Sequence, residues 1–314
     1  MTNARLAFVF PGQGSQQIGM LAEAAAEFPE IHATFSEASD VLGYDLWDLC
    51  QTGEQADINL TERTQPLLLT ASVALYRAWC ARGGARPARM AGHSLGEWSA
   101  LVCAGTLSFK DAVRLVRERG RLMQEAVPAG EGAMAAVIGL DDTAVESACA
   151  EAAQGQVVAA VNYNSPGQVV IAGSSAAVAR AIEACKAAGA KRAMPLPVSA
   201  PFHTELMRPA ADKLAPQIEA TVFHAPEIPV IHNVHAKPEA EPHAIKALMV
   251  EQIYSPVRWT ACVQAMVAGG TAELVECGPG KVLAGLAKRI DRDLACHNID
   301  TPTQFNEALL ATAG

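Results

Sequence analysis

The sequence predicts an α/β fold: a larger α/β domain built from residues 1 to 127 and 203 to 314, interrupted by a smaller unit over residues 128 to 202. Three observations carry this. The chain opens with an apolar run that ends in a glycine turn and passes into an Ala/Glu-rich helical stretch. A GxSxG pattern stands between a strand-like run and a helix-like run around Ser94. The middle of the chain then changes rhythm to β-α-β-β-α-β, the ferredoxin-like order.

Taken in order, Leu6 to Phe10 is a short buried strand by its unbroken apolar run, and Pro11-Gly12-Gln13-Gly14-Ser15 is the turn that ends it. That turn is not a dinucleotide loop, because no third glycine stands at position 17. Gly280-Lys281, further on, is followed by Val282 rather than Ser or Thr, so it is not a P-loop either. The amides of the Gln13 turn can instead face an oxyanion if the fold brings them to Ser94. Arg89 to Ala100 reads as strand, tight turn and helix, with Gly92 and Gly96 giving the turn room. From Ser108 to Ala126 the residues Ala112, Leu115, Val116, Leu122, Met123 and Ala126 recur at helical spacing. Arg119 falls on that apolar face, whereas Arg114, Arg117 and Arg121 do not, and Gly120 permits close backbone approach beside it. Strands are predicted over 132–140, 156–162, 168–172 and 191–198, and helices over 142–153 and 175–188. The last of these strands ends just before His203 and is expected to deliver it to the site.

Composition narrows the function. Half of the 314 residues are hydrophobic, enough for a large core. With 24 Lys plus Arg against 33 Asp plus Glu, the net charge of -9 opposes nucleic-acid binding, and no basic stripe offsets it. The N-terminal apolar run is too short for a signal h-region and no later run approaches membrane-spanning length, so a cytoplasmic protein is expected. The 8 cysteines are scattered without a CxxC pair, as buried thiols in a reducing compartment, and the 8 histidines form no HExxH, so no metal is expected.

The chemistry centres on Ser94. A nucleophile elbow places a serine Oγ on a strained turn near backbone N–H groups and the positive end of a helix. Such a serine needs a base. His203, at the junction of a proline-stiffened segment and a helical run, stands first, with His224, His232 and His235 open as competitors. His93 is expected to pack or hydrogen-bond behind the elbow, since neighbouring residues on an extended approach point to opposite faces. A core-facing Arg119 needs an anion: either an internal carboxylate or the carboxylate of a substrate, which a guanidinium holds in bidentate geometry.

Assembled, these segments resemble the malonyl-CoA:acyl carrier protein transacylase family, the acyltransferases that load malonyl groups. The resemblance covers almost the whole chain. It rests on Phe10-Pro11-Gly12-Gln13-Gly14-Ser15-Gln16, Thr64-Gln65-Pro66, Gly92-His93-Ser94-Leu95-Gly96-Glu97, Arg119-Gly120, Asn162 and Pro201-Phe202-His203. Gln252-Ile253-Tyr254-Ser255-Pro256-Val257-Arg258-Trp259 and Glu276-Cys277-Gly278-Pro279-Gly280 complete it. The resemblance implies an α/β hydrolase-like core with a ferredoxin-like insert, and a Ser94–His203 dyad with no third carboxylate. It further implies that the Gln252 main-chain carbonyl orients His203, and that the amides of Gln13 and Leu95 form the oxyanion hole. Arg119, Gln252, Phe202, Asn162 and Gln65 would bind substrate, Phe202 by crowding an α-methyl branch and so favouring malonyl over methylmalonyl.

The implied substrates are malonyl-CoA and holo acyl carrier protein, with no separate cofactor, and a monomer is expected. Since a carrier of this kind is acidic, the basic pairs Lys191-Arg192 and Lys288-Arg289 are its candidate contacts. An acyltransferase serving a polyketide synthase would share this chemistry. A serine esterase or thioesterase shares the elbow and base but has no use for Arg119 on an apolar face, and no HGGG-type motif is present. A non-catalytic carrier-binding scaffold would have no need of a buried charge.

Overall fold

The computed structural model describes residues 1–198 and 200–313. Its strands, in chain order, are β1 (Thr2–Phe10), β2 (Arg86–Gly92), β3 (Gly132–Ile138), β4 (Val158–Ser165), β5 (Gln168–Ser174), β6 (Arg192–Pro195), β7 (Val230–Ile231), β8 (Glu273–Glu276) and β9 (Ala295–Asn298). They form an α/β structure with one parallel and one antiparallel sheet.

The parallel sheet has the order β7-β2-β1-β8-β9, with β1 at its centre. Leu6 to Phe10 are all fully buried because both faces of the sheet are covered. Alternation along the strand divides them: Leu6, Phe8 and Phe10 enter one core and Ala7 and Val9 the other. Each large side chain removed from water in this way contributes roughly 1.5–3 kcal/mol. The strand starts at Thr2, four residues earlier than the apolar run indicates, because Thr2 and Asn3 pair with Arg86 and Pro87 through their backbones while their side chains remain outside the core.

The register of β1 and β2 sets the site. Phe10 lies opposite Gly92, and the His93 amide continues the ladder by donating to the Phe10 carbonyl at 3.0 Å. The two turns beyond these residues, carrying Gln13 and Ser94, therefore emerge side by side at the carboxyl ends of adjacent parallel strands. A Cβ on Gly92 would run into the Gly96 backbone, and one on Gly96 into the Phe10 carbonyl, so both glycines are needed for close approach.

Helix Phe109–Glu125 starts at Ser108, whose side chain accepts from the Asp111 amide. It packs closely on helix Thr61–Ala81: a Cβ on Gly120 would strike the Thr61 carbonyl. The antiparallel sheet has the order β4-β5-β3-β6. On one face Ala135, Val137, Val169 and Ile171 pack against helices Asp142–Ala153 and Ser175–Ala187, and on the other Met134, Val161, Val170 and Ala172 join the main core. The edge strand β4 is tied to the parallel-sheet part through Val257, which donates to the Val161 carbonyl at 2.7 Å and accepts from the Tyr163 amide at 3.0 Å.

The strand expected over 191–198 is shorter. It ends at Pro195, with Leu196, Pro197 and Val198 outside it, so the strand does not itself deliver His203. β6 is an edge strand, and its bonding to β3 continues only to the Leu196 amide, which donates to the Met134 carbonyl at 2.9 Å. Among the described residues no helix is long and apolar enough to cross a membrane.

Candidate active site

Ser94 sits at φ 51 and ψ -108 at the N-terminus of helix Leu95–Cys103. For a non-glycine residue this conformation is strained, and cross-links hold it in place. The Asn233 side chain spans the turn, its Oδ1 accepting from the Ser94 amide at 2.9 Å and its Nδ2 donating to the Gly92 carbonyl at 2.7 Å. Ser94 Oγ points at His203 Nε2, 2.8 Å away. Of the four candidate bases, only His203 touches Ser94 Oγ. His232 is buried against Glu97, while His224 and His235 reach the surface.

His203 also has a positive φ, 64°, which turns its side chain back over Ser94. Its Nδ1–H donates to the Gln252 carbonyl at 2.9 Å, leaving Nε2 as the acceptor for the serine proton. Burial lowers the His203 pKa to about 3, with the Arg119 charge acting in the same direction and the Gln252 carbonyl opposing. The imidazole is thus neutral and ready to accept a proton at neutral pH.

Arg119 is 1% exposed. Its Nη1 donates to Gln65 Oε1 at 2.8 Å, and its Nη2 to Gln252 Oε1 at 2.9 Å and to Ser94 Oγ at 3.2 Å. Burial lowers its pKa to about 10, against the opposing charge of Glu97, so it remains a cation at neutral pH. Among the described residues no carboxylate forms an ion pair with it, and its Nε has no partner. The internal ion pair that the sequence left open is not formed among these residues.

These groups face one cleft. Gln13, Gln65, Leu95 and Phe202 line one side, and Met134, Asn162, Leu196 and Val198 contribute the wall from the antiparallel unit and the segment after it. The amides of Gln13 and Leu95 have no acceptor among the described residues. Asn162 Oδ1 is likewise buried without a partner.

Two expectations change here. Gln252 is fully buried behind Arg119 and does not line the cleft. His93 makes a hydrogen bond of the kind expected, Nε2 donating to Asn164 Oδ1 at 2.8 Å, but it lines the cleft rather than sitting behind the elbow. β2 ends at Gly92, so the alternation of an extended strand no longer governs position 93. Lys191, Arg192, Lys288 and Arg289 are exposed and outside the cleft lining, Arg289 donating to Gln168 Oε1 at 2.7 Å.

Sequence reasoning missed Glu97, Asn233 and Asn164. Glu97 left one signal: it is the only charge in the otherwise apolar helix Leu95–Cys103. As the third residue of that helix it reads as a capping-box partner, a solvent-side role.

Residues 7–311 match the acyl transferase domain family. The chain is 60% identical over 305 residues to the malonyl CoA-acyl carrier protein transacylase of Escherichia coli strain K12, covering 97% of this chain and 99% of that protein. It superposes with a TM-score of 0.95 on an acyl carrier protein S-malonyltransferase of Vibrio cholerae, 57% identical, covering 96% of this chain and 99% of that one. With a TM-score of 0.97 and 56% identity it also superposes on a malonyl-transacylase solved in complex with its type II polyketide synthase acyl carrier protein, covering 98% of this chain and 99% of that one.

Proposed function

The chain belongs to the acyl transferase domain family, and from that premise we propose that it transfers the malonyl group of malonyl-CoA to the phosphopantetheine thiol of holo acyl carrier protein, supplying extender units for fatty acid synthesis. The observation that carries the substrate is Arg119. It is a buried guanidinium 3.2 Å from the nucleophile with no carboxylate of the described residues paired to it. Such a group suits an acyl chain that ends in a carboxylate.

In this reading Ser94 Oγ attacks the thioester carbonyl while His203 Nε2 takes its proton. The Gln13 and Leu95 amides hold the oxyanion. The C–S bond breaks, coenzyme A leaves with the proton from His203, and malonyl-Ser94 remains. The carrier thiol then gives its proton to His203 and attacks the ester carbonyl, the C–Oγ bond breaks, and His203 returns the proton to Ser94 Oγ. Arg119, held by Gln65 and Gln252, binds the malonyl carboxylate in both half-reactions, and Asn162 and Phe202 bound the acyl and thioester region. Malonyl-CoA and the carrier are substrates, and the reaction needs no further cofactor or metal.

The order β3, helix, β4, β5, helix, β6 supports a ferredoxin-like insert over residues 128 to 202 in a hydrolase-like domain made of residues 1 to 127 and 203 to 314. The eight free cysteines support a reducing, cytoplasmic setting. We take the protein to act as a monomer that meets the carrier through Lys191, Arg192, Lys288 and Arg289. The relative solved with a polyketide carrier supports a second reading of the carrier alone, with the same chemistry.

The test is intact-protein mass spectrometry after brief incubation with malonyl-CoA and no carrier, beside Ser94→Ala. A malonyl adduct on the native protein alone is expected. Free coenzyme A without an adduct would mean a hydrolase, and neither product would overturn the donor.

A further inference from the structure

Glu97 lies one step behind the reacting groups. Its side chain is fully buried, and both oxygens are engaged. Oε1 accepts from His232 Nδ1 at 2.5 Å, and Oε2 accepts from the Asn233 amide at 3.2 Å and from Gln252 Nε2 at 2.8 Å. The Gln252 side chain has two ends. Nε2 also donates to the Ser94 carbonyl at 2.9 Å, and Oε1 accepts from Arg119 Nη2 at 2.9 Å.

A primary amide has nearly the same shape when turned over, but its hydrogen bonding inverts. Here an acceptor-only carboxylate faces the donor end and a donor-only guanidinium faces the acceptor end. Glu97 fixes the position of the amide from behind, and the amide in turn fixes the guanidinium. The other contact of Gln252, its main-chain carbonyl on His203, belongs to the 3-10 turn Gln252–Tyr254 and does not depend on the side chain.

We propose that Glu97 is a positioning residue for substrate carboxylate recognition: through the Gln252 side-chain amide it aims Arg119, and it acts by the placement of its acceptor oxygen rather than by its charge. This rests on the reading of Arg119 as the partner of the malonyl carboxylate. Two substitutions separate reach from charge. Glu97→Asp keeps the charge and withdraws the acceptor by one methylene. Glu97→Gln removes the charge but leaves an oxygen to face Gln252, its NH₂ turning to His232, which accepts through Nδ1 in its other tautomer. The proton then sits on His232 Nε2, which has no partner among the described residues, a cost to stability rather than to the aim of Arg119.

The experiment measures two rates for the native protein, E97D, E97Q and R119Q. One is malonyl-Ser94 formation from malonyl-CoA, and the other is phosphonylation of Ser94 by an uncharged fluorophosphonate, which needs Ser94 and His203 but no carboxylate partner. E97D is expected to lose roughly tenfold or more in malonylation, as small displacements of a binding group do, with phosphonylation within about threefold of native. E97Q keeps both rates within about threefold. Native-like malonylation in E97D, an equal fall of both rates in E97D, or an E97Q as impaired in malonylation as E97D would each overturn the inference. If R119Q leaves malonylation unimpaired relative to phosphonylation, the reading of Arg119 itself fails; a selective loss in R119Q without one in E97D removes only the role of Glu97.

Discussion

Acidification should destabilise the fold through His203. Its pKa lies at about 3 in the folded chain because burial and Arg119 both oppose the imidazolium, whereas an unfolded histidine titrates near ~6.5. The unfolded state therefore binds the proton first, and stability falls as pH drops from about 6.5 toward 3. Above that window the neutral ring costs nothing. Between pH ~7.5 and ~5 the unfolded histidine goes from mostly neutral to almost fully protonated while the folded one stays neutral, a loss of about 2 kcal/mol. The figure is robust, since a folded value one unit higher changes it by only about 0.1 kcal/mol. The assay is urea unfolding of the native protein and His203→Gln at both pH values, the difference between their two pH dependences isolating this residue. Equal pH dependence in the two proteins would refute the reasoning. The same neutrality has a kinetic counterpart: acylation kcat/KM should hold its histidine-dependent rate below pH 6, well under the ordinary histidine range.

Other substitutions test the frame around the dyad. Gly120→Ala should cost about 1–3 kcal/mol in urea unfolding, because the added methyl meets the Thr61 carbonyl; a stabilised variant would show that the helices can separate freely. Asn233→Ala leaves the Ser94 amide and the Gly92 carbonyl without their bridge, an expected loss of about 2–4 kcal/mol together with slower fluorophosphonate labelling, and unchanged labelling would mean the elbow holds its own shape. Phe202→Ser should raise the ratio of methylmalonyl to malonyl kcat/KM by roughly tenfold, an unchanged ratio removing the steric role of that ring.

The fold was legible where burial leaves a mark in side chains. Leu6 to Phe10 reads as a strand because both faces of β1 are covered, and the helix Asp142–Ala153 begins at a capping aspartate, Asp141, that accepts from the Ala144 amide. Thr2 and Asn3 were not legible as strand, because they are held by backbone pairing and keep polar side chains outside the core. The overlong strand at 191–198 came from its apolar content: Leu196 and Val198 are only half-buried and line the cleft, and only the Leu196 amide still bonds β3.

The site shows the same division. Ser94 and Arg119 announce themselves locally, one by its elbow and the other by a charge on an apolar helical face, and the histidines left few choices of base. Glu97 and Asn233 acquire meaning only through register. β7 is two residues long and pairs Val230 with Met90 and Ile231 with Ala91. That pairing carries His232 and Asn233 alongside Gly92, His93 and Ser94, so an asparagine 139 positions away closes the elbow. A two-residue strand has no periodicity to read, and its partner is chosen by the packing of the whole sheet. Gln252 is the intermediate case: its main-chain contact with His203 followed from the resemblance, but its side chain joins Glu97 to Arg119 only once three distant segments meet. The chemical groups of this site are thus written in short motifs, while the groups that aim them are specified by the fold.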